Sequence, residues 1–300
     1  MQSEVYSVIV TYNPNINLLN DVINSLKNQL KSIIIVDNAS KNIYEIKLLT
    51  KESEIEIIEF DENRGIASAQ NEGISYASSL GAQYILLMDQ DTILPDGTVS
   101  DLYEECTTLE KRGIKVGAVG TAYRDTHSGK INPIWRANKY RIKKIYAEAE
   151  ENKLFEVDFV IASGSLIPIS SLKEVGLMDE NLFIDMVDIE WGLRAKYYGY
   201  HIYQTSNHIM IHTIGIDTIS FFGKKIPVHR PIRNYFSIRN SIILSKRKYI
   251  NSAWRLYFLR RVFLYFIVFS FFSTQKFTRV KFMMCGIIDG FFNINIRKYF

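Results

Sequence analysis

Five short apolar or β-branched runs in the first half of the chain, at residues 5–10, 33–36, 54–60, 84–88 and 116–119, alternate with segments such as 18–30 and 67–80 whose apolar residues recur at helical spacing. This alternation constrains the fold more than any other feature. Runs of strand length joined by connections of helix length build a parallel sheet with crossover helices. In such sheets ligands sit beyond the carboxyl ends of the strands. Here those ends carry Thr11-Tyr12-Asn13, Asp37-Asn38, Asn63-Arg64-Gly65 and Asp89-Gln90-Asp91, so polar residues crowd one edge. No Gly-x-Gly-x-x-Gly follows the first run, which argues against a dinucleotide site.

Asp89 and Asp91 carry the most chemistry. The period of an extended chain sends two residues one position apart to the same side, so the pair offers clustered carboxylate oxygens as the strand emerges. Such oxygens suit a hard divalent ion that shares its shell with substrate phosphates. Alone, Asp-Gln-Asp followed by Pro95-Asp96-Gly97 is also an ordinary polar turn.

Beyond residue 155 the pattern predicts a long strand over 158–169, interrupted at Ser163-Gly164-Ser165, then a short helix, a helix over 187–198, and strands at 201–204 and 209–212. Glu190 and Arg194 stand four apart on that helix, the spacing of a surface ion pair. Trp191 reads as core. From about Pro231 the chain becomes basic, aromatic and helical.

The net charge of +4 conceals an asymmetry: residues 224–300 hold 16 Lys and Arg against one acid, Asp289. An anionic partner is expected for this tail. With 47% apolar residues the chain can bury a large core, which argues against disorder. Cys106 and Cys285 show no metal-ligand spacing and read as reduced thiols, which fits a cytoplasmic protein. The run at 5–10 is too short for a signal peptide, and that at 262–272 falls short of the about 20 residues a transmembrane helix needs.

Six motifs in this order resemble the family 2 glycosyltransferases of the GT-A fold, over roughly residues 5–215: Val8-Ile9-Val10-Thr11-Tyr12-Asn13, Val36-Asp37-Asn38-Ala39-Ser40, Asn63-Arg64-Gly65 with Asn71-Glu72-Gly73, Asp89-Gln90-Asp91, Ser163-Gly164, and the stretch from Asp185 to Arg194. Asp-Gln-Asp, the family's DXD motif, together with Phe183-Ile184-Asp185 is most similar to bacterial rhamnosyltransferases that use dTDP-L-rhamnose. The resemblance implies a Rossmann-like, mostly parallel sheet flanked by helices. It divides the chain into a catalytic domain, 1–223, with a nucleotide-sugar half to about 120 and an acceptor half from about 121, and a basic helical tail, 224–300.

The resemblance also implies roles. Asp37 would hydrogen-bond the nucleobase, an Asx turn being its alternative; Thr11 and Asn13 would line the same pocket, with Asn63, Arg64 and Gly65 beside the phosphates, although Arg64 also fits a solvated surface residue. Asp89 would lie near the ribose and the metal, Asp91 would bind the metal, Mg²⁺ or Mn²⁺, and His212 in Ile211-His212-Thr213-Ile214-Gly215 would complete its shell; by itself a histidine on an apolar strand is also an ordinary core residue. Asp188 would be the general base of an inverting transfer. Relatives carry Glu-Asp where this chain has Val187-Asp188, so Asp185 is expected either to position the acceptor from the same helix face or to cap that helix. Ser163 and Gly164 would shape the acceptor side.

The segment Arg233-Asn234-Tyr235-Phe236-Ser237-Ile238-Arg239-Asn240 resembles a feature of relatives with lipid-linked acceptors. Aromatic and basic residues mixed over 254–261 suit a helix in the headgroup layer, with an anionic membrane surface as partner. A helical cap on the domain or on a second copy is the alternative, which leaves homo-oligomerisation open. Nucleic acid is disfavoured because no recognition motif accompanies the charge. The expectation is a metal-dependent enzyme, peripheral on the inner face of the plasma membrane, that transfers L-rhamnose from dTDP-L-rhamnose to a lipid-linked saccharide in surface polysaccharide (O-antigen or capsule) assembly. A UDP-hexose donor, or a non-catalytic nucleotide-sugar-binding scaffold, is the alternative.

Overall fold

A computed structural model describes residues 4–51, 55–126, 129–138, 140–146, 153–212, 217–221 and 224–294. Glu54, Thr213-Ile214-Gly215, the boundary at 222–223 and the last six residues of the tail therefore lie outside the described residues. In chain order the elements begin with β1 (Val5–Thr11), α1 (Ile16–Leu26), β2 (Ser32–Asp37), α2 (Ile43–Thr50), β3 (Ile55–Glu59), α3 (Ile66–Ser79), β4 (Tyr84–Asp89), α4 (Thr98–Lys111) and β5 (Val116–Asp125). There follow β6 (Ile134–Ala137), β7 (Ile142–Ile145), β8 (Leu154–Val157), β9 (Ser165–Pro168), α5 (Ile169–Val175), a 3₁₀ turn (Glu180–Leu182), α6 (Val187–Tyr197) and β10 (His201–His212). The hairpin β11 (Asp217–Phe221) and β12 (Lys224–Val228) leads to α7 (Ile232–Lys246), α8 (Ser252–Phe271) and α9 (Lys276–Phe292).

The main sheet runs β3-β2-β1-β4-β9-β5-β10-β8. Pairing is parallel from β3 through β4 and between β5 and β10; β9 is antiparallel to both neighbours, and β8 to β10. Register decides the site: Thr11 pairs with Asp37 and Val10 with Asp89, so the polar ends of three strands lie side by side.

The alternation of the strands feeds two cores. Leu86 and Met88 enter one, with Ile9, Ile35 and the buried residues Leu19, Val22, Ile23 and Leu26 of α1. Ile85 and Leu87 enter the other, with Val8, Ile34 and residues of α3, α5 and α6. Asp89 continues the second set, toward the layer that contains α6. Asn15 starts α1 by accepting from the Leu18 N–H at 3.2 Å.

The structure corrects three local expectations. Residues 158–164 form no strand; only Ser165–Pro168 does, because the chain turns at Gly164, whose N–H donates to the Leu87 carbonyl at 2.9 Å. The Glu190–Arg194 pair exists, but it is not on the surface. Glu190 is 1% exposed, and Arg194 spends its remaining donors on the carbonyls of Val175 and Leu177 at 2.7 and 2.6 Å. The strands expected at 201–204 and 209–212 are one strand, with a register shift between Thr205 and Ile209.

The tail is helical and its first helix is an interior element: residues 234–244 of α7 are buried. A Cβ at Gly286 or Gly290 of α9 would stand 2.6 or 2.8 Å from the Tyr235 or Arg239 carbonyl oxygen, so glycine is what lets α9 lie this close to α7. Trp254 on α8 packs in the main core and donates to Asp158 at 2.6 Å.

Candidate active site

Three potential ligand groups meet at the carboxyl edge of the sheet. Asp89, Asp91 and His212 each offer an atom within 4.8 Å of the others. Backbone geometry brings them together: Asp89 ends β4, Asp91 is two residues on, and a bridge between Ile93 and Ile211 holds the following loop against the end of β10. The intervening Gln90 points elsewhere. Its Oε1 accepts from the Tyr12 N–H at 2.7 Å, which ties the end of β4 to the end of β1 and leaves both aspartates on the other side.

The electrostatics of this cluster are compatible with a bound cation. Burial and then the Asp91 charge push Asp89 up to about 7, opposed only in part by Arg233. Burial holds His212 below the usual histidine value, against the pull of Asp91, Asp125 and Asp188, which favours the neutral imidazole that a metal requires. Thr92 Oγ1 lies 2.8 Å from His212 Nδ1; with Nδ1–H donating to that hydroxyl, Nε2 carries the free lone pair. Two carboxylates and one neutral imidazole fit a divalent ion.

Asp188 stands in the first turn of α6 and faces the same cluster. Burial pushes its carboxyl up to about 6; the Ile189 N–H, 2.8 Å from Oδ1, opposes the rise, and the Asp89 charge adds to it. Tyr123 on β5 makes an edge contact with His212 at 5.6 Å between ring centres, and its phenol is pushed up by burial and then by Asp188.

The loop before α6 is held in a conformation that side chains rarely adopt. Phe183, Asp185 and Met186 have φ of 62°, 69° and 66°. Three carbonyls of this stretch, Leu182, Ile184 and Asp185, accept from Asn240 Nδ2 at 2.9, 2.9 and 3.0 Å. Asp185 is neither the cap of α6 nor on a shared helix face with Asp188: Met186 occupies the cap position and the helix begins at Val187. Its carboxylate is instead taken by Arg233 Nε at 3.1 Å and by Arg233 Nη2.

The candidate nucleotide residues form a connected network at the ends of β1 and β2. Thr11 Oγ1 donates to Asp37 Oδ1 at 2.8 Å, and the Ser40 N–H donates to Oδ2 at 2.8 Å. A carboxylate has capacity for further donors, so these two bonds orient Asp37 without exhausting it. Asn13 Oδ1 accepts from the Lys41 N–H at 2.8 Å, and the Asn13 N–H donates to Ser40 Oγ at 2.8 Å. Asn63 Oδ1 accepts from the Gly65 N–H at 3.0 Å, a short turn that opens α3. Gly65 has φ 86°, and an added Cβ would lie 2.6 Å from the Phe183 ring and carbonyl, so its close neighbour is the loop before α6. Arg64 is exposed over the Phe60 ring at 4.5 Å. On the opposite flank Ser163 Oγ accepts from the Asp89 N–H at 3.1 Å, and Gly164 follows it against Thr121.

Sequence reasoning missed Thr92 and Tyr123, and it marked the segment that begins at Arg233 and ends at Asn240 without placing either residue at this site. Thr92 adjoins the Asp-Gln-Asp motif and was accessible in principle. The other three reach the site only through tertiary contacts.

Comparison with known proteins bears on the family and the fold. The sequence profile described as Glycosyl transferase family 2 matches residues 7–176. The chain is 33% identical over 250 residues to a Shigella flexneri protein, dTDP-rhamnosyl transferase RfbF, covering 83% of this chain and 82% of that one. It is 28% identical over 174 residues to the poly-beta-1,6-N-acetyl-D-glucosamine synthase of Staphylococcus epidermidis, covering 56% of this chain and 40% of that one. Among solved structures, GalNAc-T7 with UDP, GalNAc and Mn²⁺ superposes with a TM-score of 0.59 at 12% identity, covering 98% of this chain and 56% of that one. S. aureus TarS 1-349 in complex with UDP superposes with a TM-score of 0.54 at 14% identity, covering 87% and 72%. Both likenesses are of fold.

Proposed function

The chain belongs to glycosyl transferase family 2, and from that premise we propose that it is an inverting, metal-dependent rhamnosyltransferase that uses dTDP-L-rhamnose and a lipid-linked saccharide acceptor in surface polysaccharide assembly. The observation that carries the reading is the meeting of Asp89, Asp91 and His212 within 4.8 Å at the strand ends, with Asp188 in electrostatic contact with Asp89. Similarity to dTDP-rhamnosyl transferase RfbF supports the donor.

In this proposal Asp37 and Thr11 receive the nucleobase, while Asp89, Asp91 and His212 would hold a divalent ion. Bound there, such an ion would supply positive charge to offset that growing on the departing nucleoside diphosphate. Asp188 accepts the proton that the acceptor hydroxyl loses as its oxygen attacks the anomeric carbon from the face opposite the leaving group. A pKa near 6 suits a general base, since the group is mostly ionised at neutral pH yet basic enough to take a proton. Ser163 fixes the backbone at Asp89, and Arg233 fixes Asp185 beside the cleft.

A second donor, a UDP-hexose, is favoured by the likeness to poly-beta-1,6-N-acetyl-D-glucosamine synthases. The deciding experiment is a donor panel incubated with a membrane extract, followed by analysis of the product. Incorporation of rhamnose from dTDP-L-rhamnose, with none from UDP-sugars, is the expected result. Transfer from a UDP-hexose alone would end the rhamnose assignment.

A further inference from the structure

Helix α8 and the β6–β7 hairpin enclose a groove of about 560 Å³, within the range of pockets that take a small organic molecule. Its floor is apolar, with Ile142, Ile226, Leu264 and Val268 beside the rings of Trp135 and Tyr257. Among the described residues its charged lining is of one sign: Arg141, Lys144, Arg260 and Arg261. Two of these cations lie against aromatic faces, Lys144 Nζ 4.1 Å over Trp135 and the Arg261 guanidinium 4.8 Å over Tyr265.

The inner end of the groove reaches the active site through Arg261. Its Nη2 donates to Ser237 of α7 at 3.0 Å, while its buried Nε–H has no hydrogen-bond partner among the described residues. The guanidinium also interacts with Asp185, the carboxylate that Arg233 holds beside Asp89. The groove opens to solvent at Leu256 and Arg260, both exposed and the latter next to Arg261 in the chain.

We propose that this groove seats a single amphiphilic lipid bearing a phosphate-ester head, the anchor of the acceptor, with its chain on the apolar floor and its phosphate between Arg261, Arg260 and Lys144. The proposal rests on the transferase reading above and adds where the acceptor is held. Charge and polarity select this occupant. A second copy docked across a two-fold axis would set these cations against one another. Nucleic acid would leave the aliphatic floor unused, as would a free phosphate. A lipid phosphate satisfies both halves, because burial of its chain and pairing of its head occur in one groove.

The test is calorimetric titration of the full chain with farnesyl diphosphate, below its micellar concentration and with chelator present, beside titrations with farnesol, inorganic diphosphate and dTDP. Farnesyl diphosphate is expected to bind at least about tenfold more tightly than farnesol or inorganic diphosphate. The rim variant Arg260→Glu with Lys144→Glu, and separately Leu264→Glu in the floor, should each weaken it about tenfold or more with an unchanged melting temperature. Two independent variants keep the test decisive if one fails to fold. Equal affinity for inorganic diphosphate, insensitivity to both variants, adsorption to anionic vesicles without binding of monomeric lipid, or a dimer in sedimentation that Leu264→Glu splits would each overturn the groove assignment. Retained dTDP binding in those cases leaves the transferase reading standing, whereas loss of dTDP binding alone counts against that reading and not against the groove.

Discussion

Arg233 grips both carboxylate oxygens of Asp185, 48 residues earlier in the chain, and the same guanidinium opposes the rise of the Asp89 carboxyl. One side chain from α7 thereby couples the loop before the candidate base to the candidate metal ligands. Removing it in Arg233→Ala leaves a half-buried carboxylate without its fork. Because the pair is partly exposed, the expected cost is about 1–3 kcal/mol, read as a lower melting temperature. Arg233→Lys keeps a charge near Asp89 but cannot make the two-pronged bond, so it should recover only part of the loss. Full recovery with lysine would show that a point charge is sufficient there.

Asn240 is predicted to matter through the backbone. Its amide reaches three carbonyls of the stretch that leads into α6, where φ is positive at three residues. Asn240→Ala strands those carbonyls and should cost about 2 kcal/mol in chemical denaturation. Asp188 follows two residues after that stretch, so turnover should fall as well. A variant as active as the parent would mean that α6 positions Asp188 without help from α7.

Asp91→Ala should abolish both turnover and its sensitivity to chelator, because one of the three potential ligands is gone. Unchanged turnover with unchanged chelator response would refute the metal assignment. Nucleotide binding measured with chelator present should be little affected, which separates lost chemistry from lost folding.

The base predicts a pH profile. Burial raises Asp188 to about 6, so the ionised form that accepts a proton dominates above that pH and is lost as pH falls through it. The rate at saturating donor should therefore decline about tenfold per unit below the inflection. Asp188→Asn should be slower by about 10²-fold or more and should lose this acid limb, with donor binding preserved. An acid limb that survives in Asp188→Asn would assign the titration to another group.

What the sequence revealed and what it hid follow from the range of the interactions. The strand ends at Thr11, Asp37 and Asp89 were legible because each strand announces itself locally through β-branched runs, and a parallel sheet then aligns the ends. That Asp91 and His212 would share a site was legible only through the family resemblance, since no local pattern shows it; their meeting depends on the Ile93–Ile211 bridge. The strand expected over 158–164 failed because apolar content there serves packing around a turn at Gly164, where the Leu87 carbonyl takes the N–H. Helical spacing correctly paired Glu190 with Arg194 but could not reveal Tyr249, whose hydroxyl donates to Glu190 at 2.5 Å from beyond α7 and buries the pair. Nor could spacing show that a segment as basic as α7 is interior: the two Nη groups of its Arg239 donate to the carbonyls of Asn181 and Ile294, residues far away in the sequence.

The faces of α8 and α9 that remain uncovered lead to a prediction about membranes. Phe271, Phe272, Phe277, Phe291 and Phe292 are all more than half exposed, Phe277 at 86%, and no helix among the described residues is long and apolar enough to cross a membrane. Exposed rings beside lysine and arginine suit attachment at an anionic interface, where each basic residue near the surface contributes on the order of 1 kcal/mol. Vesicle sedimentation should then require acidic lipid and weaken as salt rises, because exposed charges are screened beyond about 8 Å at physiological ionic strength. Phe271→Ser with Phe277→Ser should reduce binding even at low salt, since the rings add apolar burial that charge alone does not supply. If that double variant binds as well as the parent, attachment is electrostatic only; if neutral vesicles bind equally well, the basic residues play no part and membrane attachment through the charged tail is refuted.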